Sequence, residues 1–145
     1  MSGNRRKSRE FAVQGIYLWL LNQQPVNDVI KQLREDPTYH EIDEAMFSKL
    51  LHGVVANVTE LDLRIGHFVD RPIAELSPVE HAVLLLGAQE LLHHVEVPYR
   101  VIINEAVELT KTFGGTDGHK YVNGVMDKIA AQVRSAEVNK PRAPK

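Results

Sequence analysis

The sequence predicts an all-α protein, a helical bundle in a single folded domain. Apolar residues recur at intervals of three and four along most of the 145 residues, which is the period of an amphipathic helix. No Asn-Gly pair joins two alternating apolar runs, so nothing indicates a β-hairpin. Proline and glycine stand between the periodic segments, where they begin and end helices.

The first half of the chain predicts three helices. The first covers residues 6–22, Pro25 ends it, and a short helix follows over residues 26–34. The third covers residues 43–67, in which Gly53 marks a break or a close helix contact. The buried stripe of the first helix consists of Val13, Ile16, Tyr17 and Leu20.

A central helix begins at a clear capping signal. In Ser77-Pro78-Val79-Glu80 the serine hydroxyl can accept from the Glu80 amide, the Glu80 carboxylate can reach back, and proline takes the first helical position. This helix continues through His93 and is apolar on nearly all sides, so it belongs at the centre of the bundle.

Two further helices follow. Pro98 begins the first, and Gly114-Gly115 supply the left-handed residue that ends it. Thr116 or Asp117 caps the last helix. The first of these two helices is predicted to bury Ile102, Ala106, Leu109 and Phe113, and the last to bury Val122, Val125, Met126, Ile129 and Val133.

Three helical residues are expected to serve helix packing. Asparagine is mildly unfavourable in a helix unless its amide finds a partner, so we expect Asn104 and Asn123 to bridge to other helices. Gly124 costs about 1 kcal/mol relative to alanine, which indicates close contact with a neighbouring helix.

Composition restricts the functional classes. There is no cysteine, which excludes disulfides, thiolate metal sites and a cysteine nucleophile. No apolar run approaches a membrane span or a secretory core, so we expect a cytoplasmic protein. We expect residues 1–139 to form one domain and residues 140–145 to form a disordered basic tail.

Catalysis is not indicated. The chain has no GxSxG, P-loop or HExxH motif, and the glycine-rich segment 114–118 follows a helix instead of a strand. His93 and His94 are adjacent and would point to different helix faces, which is unsuitable for chelation. We therefore expect no enzyme activity, no metal and no cofactor.

The strongest functional feature is a basic cluster at the start of the first helix, although the net charge is only −2. Arginine forks bind phosphates and stack on unpaired bases. Four contacts to single-stranded RNA would give a salt slope of roughly −3. The alternative is a solvated helix end kept basic for solubility. The cluster consists of Arg5, Arg6, Lys7 and Arg9.

A second candidate surface surrounds the glycine-rich turn. Tyr121 beside Lys120 and His119 could stack a base and hold its phosphate. The structural alternative is that Tyr121 begins the buried face of the last helix. Tyr17 has the same two interpretations, since an aromatic in a helix stripe usually packs in the core.

Several segments together resemble the NusB family of bacterial transcription antitermination factors. They are RRKSR at residues 5–9, EFAVQGIY at 10–17, INEAVELTK at 103–111 and KYVNGVMDK at 120–128. The resemblance covers nearly the whole chain. It implies a fold of two small helical bundles packed together and a scaffold that binds RNA without catalysis.

The resemblance also implies partners and site residues. Members pair with NusE, a small-subunit ribosomal protein, bind boxA RNA with it, and act in the RNA polymerase antitermination complex on ribosomal RNA operons. Glu80 corresponds to a partner-binding position. The RNA-binding positions would be Arg5, Arg6, Lys7, Arg9, Tyr17, Asp117, Lys120 and Tyr121.

Some positions depart from the family pattern, and two other functions are open. His81 and Leu85 stand where basic residues are usual, and Gly118 stands where serine is common. The apolar run 84–92 suggests a surface for homodimers when NusE is absent. The alternatives are a helical protein-interaction scaffold without an RNA role and the accessory domain of an RNA cytosine methyltransferase. The latter is disfavoured because no catalytic domain follows.

Overall fold

Helices account for most of the protein in the computed structural model, which describes residues 4–114 and 117–140. Within these ranges there is no β-strand, only one isolated bridge between Asn4 and Ile42. Short 3₁₀ turns lie at Tyr39–Glu41 and Ile73–Glu75. The α-helices are α1 (Arg5–Asn22), α2 (Val26–Leu33), α3 (Glu44–Gly66), α4 (Pro78–His93), α5 (Tyr99–Phe113), α6 (Gly118–Val133) and α7 (Ser135–Val138).

The helices form two groups that share α4. Helices α1, α2 and α3 pack together, as do α4, α5 and α6, and α4 also contacts α1 and α3. Its residues 82–91 are all buried, as its nearly continuous apolar sequence predicts. The predicted all-α architecture is confirmed. None of the described helices is long and apolar enough to cross a membrane.

The helix starts follow ordinary capping chemistry. Asp43 caps α3 by accepting from the Met46 amide at 3.1 Å, and Ser77 accepts from the Glu80 amide at 3.1 Å. The Glu80 carboxylate accepts from the Ser77 hydroxyl at 2.9 Å, so the second bond of the predicted capping box goes to the side chain. At the end of α1, Gln23 adopts the left-handed conformation and its amide donates to the Trp19 carbonyl.

Two glycines allow α4 to approach its neighbours closely. A Cβ built on Gly53 of α3 would collide with the Gln89 amide, and one built on Gly87 would collide with the Met126 side chain. The predicted close contact at Gly53 is therefore confirmed. The same prediction for Gly124 is wrong, since that residue is exposed and no atom lies within 4 Å of the corresponding Cβ position.

The turn between α5 and α6 is described only at Gly114 and Asp117, one member of each predicted pair. Gly114 has φ −104° and ψ −173°, which is extended and not left-handed. A Cβ there would lie 2.8 Å from the Thr110 carbonyl oxygen, so glycine is needed for space. Asp117 occupies the cap position of α6 but makes no capping side-chain hydrogen bond. Gly115 and Thr116 lie outside the described residues.

Three other predictions concern which side chains are buried. Asn104 and Asn123 are exposed, so the expectation that they bridge helices is wrong. The run from Leu84 to Leu91 is buried in the core, so it cannot be a surface for self-association. Phe113 and Val133 are only half-buried, whereas the other predicted core residues of α5 and α6 are buried. Most of the predicted tail lies outside the described residues.

A buried arginine closes the C-terminal end of α4. The Arg134 guanidinium donates to the carbonyls of Glu90, Leu91, His94 and Val97 at 2.8–3.3 Å and to the Glu137 carboxylate at 2.7 Å. The last carbonyls of a helix have no partner inside it, and a cation also complements the negative end of the helix dipole. Arg134 therefore fixes the end of α6 against α4.

Replacement of this arginine should destabilise the fold. Arg134→Ala leaves buried carbonyls without donors, and we expect it to lower the free energy of unfolding by about 2–4 kcal/mol. Arg134→Lys should recover only part of the loss, because an ammonium cannot reach several carbonyls in the arrangement of a guanidinium. Urea denaturation measures both variants against Lys128→Ala, an exposed residue of α6. Equal midpoints for Arg134→Ala and Lys128→Ala would contradict this role.

Candidate nucleic-acid interface

The first turn of α1 carries three accessible cations. We call Arg5, Arg6 and Lys7 the α1 cationic end; the two arginines are exposed and Lys7 is half-buried. There is no acidic residue in this turn. The positive side chains therefore coincide with the positive end of the helix dipole, and both attract an anion.

Hydrogen bonds anchor the α1 cationic end to the start of α3. The Asn4 side chain accepts from the Lys7 amide at 2.9 Å, and the Asn4 amide donates to the Glu41 carbonyl at 2.9 Å. The Ser8 hydroxyl donates to the Asn4 carbonyl at 2.7 Å and accepts from the Asp43 amide at 2.9 Å. The first turn of α1 is thus held by hydrogen bonds to its own cap residue and by hydrogen bonds to the segment that precedes α3.

Arg6 is held by an acidic residue on another helix. Its Nε donates to the two carboxylate oxygens of Glu105 on α5, at 2.9 and 3.3 Å. The Arg6 side chain is 58% exposed and that of Glu105 is 15% exposed. Sequence analysis missed Glu105, since nothing in the sequence pairs two residues so far apart.

The prediction that Arg9 binds RNA is corrected by its burial. Its guanidinium donates to both oxygens of Glu90 at 2.8 Å, and both side chains are 3% exposed. Burial by itself lowers the pKa of Arg9, but the hydrogen bonds and charge of Glu90, with that of Glu105, raise it overall. Arg9 therefore joins α1 to α4 and cannot contact a phosphate while this pair is made.

Tyr17 lies on a groove farther along α1. It is half-buried and, with Phe113, contributes aromatic surface to an open groove with a volume of about 530 Å³. Asp36 and Val79 lie on the same groove. The groove therefore extends from α1 and the end of α2 to the start of α4.

Glu80 lies where the starts of α4 and α6 meet. Its carboxylate is held by the Ser77 hydroxyl, and its Oε2 is 3.5 Å from the position that a Cβ on Gly118 would take. Of the two departures from the family pattern, His81 lies beside Asp62 of α3, with Nε2 2.7 Å from Oδ1. Leu85 is fully buried, so a basic residue at that position would be unsolvated in this core.

Tyr121 belongs to a cluster with Asp70 and Arg71, which we call the Arg71–Tyr121 cluster. The Tyr121 hydroxyl donates to Asp70 Oδ1 at 3.0 Å, and the Arg71 guanidinium lies over the Tyr121 ring at 4.7 Å from its centroid. Arg71 Nε also donates to Asp70 at 2.8 Å. Burial, followed by the bond to Asp70, raises the pKa of Tyr121. Arg71, which the sequence did not single out, thus covers one face of the predicted stacking residue.

Asp117 and Lys120 lie on either side of the start of α6. Both are exposed, and their charged atoms are 3.9 Å apart, so they form at most a weak, solvated ion pair. The Nδ1 of His119 is buried without a hydrogen-bond partner among the described residues. No group of three or more metal-ligating side chains in the described part of the chain could hold a metal ion.

The buried Arg9–Glu90 pair should respond unequally to single and double substitution. Arg9→Ala leaves the Glu90 charge buried and unpaired, which should cost about 3–5 kcal/mol of unfolding free energy. Arg9→Met combined with Glu90→Met should cost clearly less, because no charge remains in the core. Chemical denaturation tests this, with Arg6→Ala as the exposed control. An Arg9→Ala midpoint equal to that of Arg6→Ala would contradict the burial of the pair.

The Arg71–Tyr121 cluster predicts a depressed pKa for the Asp70 carboxyl group. Hydrogen bonds from Arg71 and then Tyr121 lower the pKa of Asp70 from 3.8 to about 2. Because the folded-state pKa is depressed, the stabilisation is complete above the unfolded value and is lost as pH falls from about 4 towards 2. Carboxyl ¹³C NMR should show Arg71→Ala and Tyr121→Phe raising the pKa of Asp70, and Tyr99→Phe leaving it unchanged. A parent midpoint at 3.8 would refute the cluster.

The chain is similar to known proteins over most of its length. The chain is 56% identical to the transcription antitermination protein NusB of Bordetella pertussis over 138 residues, which are 92% of this chain and 90% of that protein. It is 52% identical to the NusB of Methylobacillus flagellatus over 139 residues, 96% of this chain and 90% of that protein.

Solved structures show the same fold. T. maritima NusB superposes with a TM-score of 0.83 at 26% identity, covering 91% of this chain and 94% of that one. A NusB in complex with NusE and double-stranded RNA has a TM-score of 0.79 at 25% identity, covering 88% and 96%. The sequence model of the NusB family matches residues 6–131 of this chain. The chain therefore belongs to the NusB family of transcription antitermination factors, which are not enzymes.

Proposed function

We propose that this protein binds boxA RNA together with NusE in the cytoplasm. In doing so it would join the RNA polymerase antitermination complex and promote processive transcription of ribosomal RNA operons. The observation that carries the proposal is the α1 cationic end, where three accessible cations lie together on a capped helix start. The similar NusB in complex with NusE and double-stranded RNA supports both partners.

Electrostatics favour a polyanion at the α1 cationic end. Arg5 and Lys7, which have no ion-pair partner among the described residues, each cost about 0.3–1 kcal/mol at the positive end of the helix dipole. An RNA phosphate removes this cost and accepts hydrogen bonds from the same groups. Since Arg9 is buried, three contacts remain, and the salt slope for single-stranded RNA should be roughly −2 instead of −3.

The second surface is proposed to complete the site with little net charge. Tyr17 and Phe113 offer aromatic faces along the groove, on which unstacked RNA bases can stack. Tyr121 and Lys120 are proposed RNA contacts in which stacking contributes beside charge, because the nearby Asp117 offsets part of the field of Lys120. Asp117 itself could accept from a base amino group.

Glu80 is proposed to face NusE. Its carboxylate lies at the start of α4, next to Gly118 at the start of α6, and an acidic side chain there can pair with a basic group of a protein partner. We do not propose a homodimer in the absence of NusE, because the apolar run of α4 that suggested one is buried in the core.

The decisive variant removes all three cations. With Arg5, Arg6 and Lys7 replaced by alanine, we expect the affinity for labelled boxA RNA with NusE present to fall at least about tenfold, since hydrogen bonds to charged groups contribute about 1.5–3 kcal/mol each. The salt slope should shrink by roughly 2. Fluorescence anisotropy across a salt series measures both quantities.

The matched control removes the same charge elsewhere. Lys31, Lys49 and Lys128 are exposed on other helices, and their triple alanine variant should keep the parent salt slope. If both triple variants bind RNA as tightly as the parent, the RNA surface is wrongly assigned. No RNA binding by the parent, with or without NusE, would favour the alternative of a helical protein-interaction scaffold.

A further inference from the structure

The arginines of α1 occur in three different states. Arg5 makes no side-chain hydrogen bond or ion pair among the described residues, whereas Arg9 is paired and buried with Glu90. Arg6 is intermediate, since it is paired with Glu105 yet 58% exposed. A cation that is fixed in direction and still accessible differs from a cation that is only exposed.

The hydrogen bonds of Arg6 leave its outer edge open. A guanidinium has five N–H donors in a rigid fork, and Glu105 engages only the one on Nε. Within the described residues, the two terminal nitrogens of Arg6 have no protein acceptor. These terminal groups form an edge that can donate two parallel hydrogen bonds to a phosphate.

The Glu105 side chain is largely buried and packed among other residues. It is 15% exposed, and it lies among residues of α1, α4 and α5 that include Arg9 and Glu90. It therefore loses little freedom when it holds Arg6, unlike an acid on a solvated loop. We infer that Glu105 is a positioning residue, which orients the Arg6 fork towards an RNA phosphate and makes that contact directional. The inference rests on the proposed RNA-binding function.

The position of Glu105 has opposite effects in the presence and absence of Arg6. With Arg6 present, the carboxylate orients the fork, and losing it should weaken binding. Without Arg6, the same carboxylate is an uncompensated negative charge beside the phosphate path, and losing it should strengthen binding. A residue that acted only through stability, or only through its charge, would not reverse its effect in this way.

The test is a double-mutant cycle in boxA RNA affinity, with NusE present and at fixed salt. Glu105→Gln should weaken binding roughly threefold to tenfold in the parent, a coupling within the range found for contacting residues. In the Arg6→Ala background the same substitution should strengthen binding. Equal effects in both backgrounds, or no effect in the parent, would overturn the inference.

Two matched controls separate position from charge. Glu108→Gln removes one charge from α5 one turn later, where Glu108 is 47% exposed and faces Lys111; it should not weaken binding. Arg6→Lys keeps the charge without the fork and should lose affinity, whereas Arg5→Lys should be tolerated. Equal tolerance of lysine at both positions would count against a positioned fork.

The hydrogen bond between Arg6 and Glu105 can also be measured without RNA. The Nε–H proton of Arg6 should be protected from exchange in NMR spectra, and Glu105→Gln should remove most of that protection. If the triple alanine variant of Arg5, Arg6 and Lys7 keeps the RNA affinity of the parent, the proposed function fails and this inference fails with it. If the triple variant weakens binding and the cycle shows no coupling, only the role of Glu105 is refuted.

Discussion

The buried pair of Arg9 and Glu90 is the constraint on which the placement of α1 depends. Two charges taken out of water are tolerated only when they satisfy each other, and the two 2.8 Å hydrogen bonds meet that condition. The pair fixes both the rotation of α1 about its axis and its position along α4. Because Arg6 lies three residues earlier, this rotation also decides that it faces Glu105 on α5.

Helix α4 is held at both ends by polar contacts, while its middle is held by packing. At its start, Ser77 and Glu80 satisfy each other next to the start of α6. At its end, Arg134 binds the last carbonyls and joins them to the end of α6. Tyr121 and the cluster around it are therefore positioned from two directions, through α6 and through the segment that precedes α4.

Periodicity and capping were sufficient to predict the helices, because both are local properties of the chain. Each predicted helix is present, and the predicted ends differ from the observed ones by at most one residue. Long-range partners were not predictable. Arg9 was grouped with its basic neighbours, yet it stands four residues before Val13 on the buried stripe of α1, and that register was a usable signal. Its partner Glu90 could be found only from the fold.

The errors at single residues have one physical origin. Asn104, Asn123 and Gly124 were interpreted as packing residues because they are unfavourable in a helix, but all three are exposed. Helix propensity indicates that a residue is unfavourable in a helix, but it does not indicate which contact, if any, compensates for that cost. Gly114 is required for space beside Thr110, a tertiary constraint that a helix-ending signal in the sequence does not reveal. The site residues predicted by resemblance remain predictions, apart from Arg9.

The anchoring of the first turn of α1 has a consequence for synthesis of the chain. Asn4 and Ser8 are held by Glu41 and Asp43, Arg9 by a residue 81 positions later, and Arg6 by one 99 positions later. Contacts of such sequence separation form only after the later segments are available. Helix α1, which is synthesised before the segments that hold it, is thus fixed in place late. A nascent chain interrupted before α5 would carry the basic residues without the arrangement that orients them.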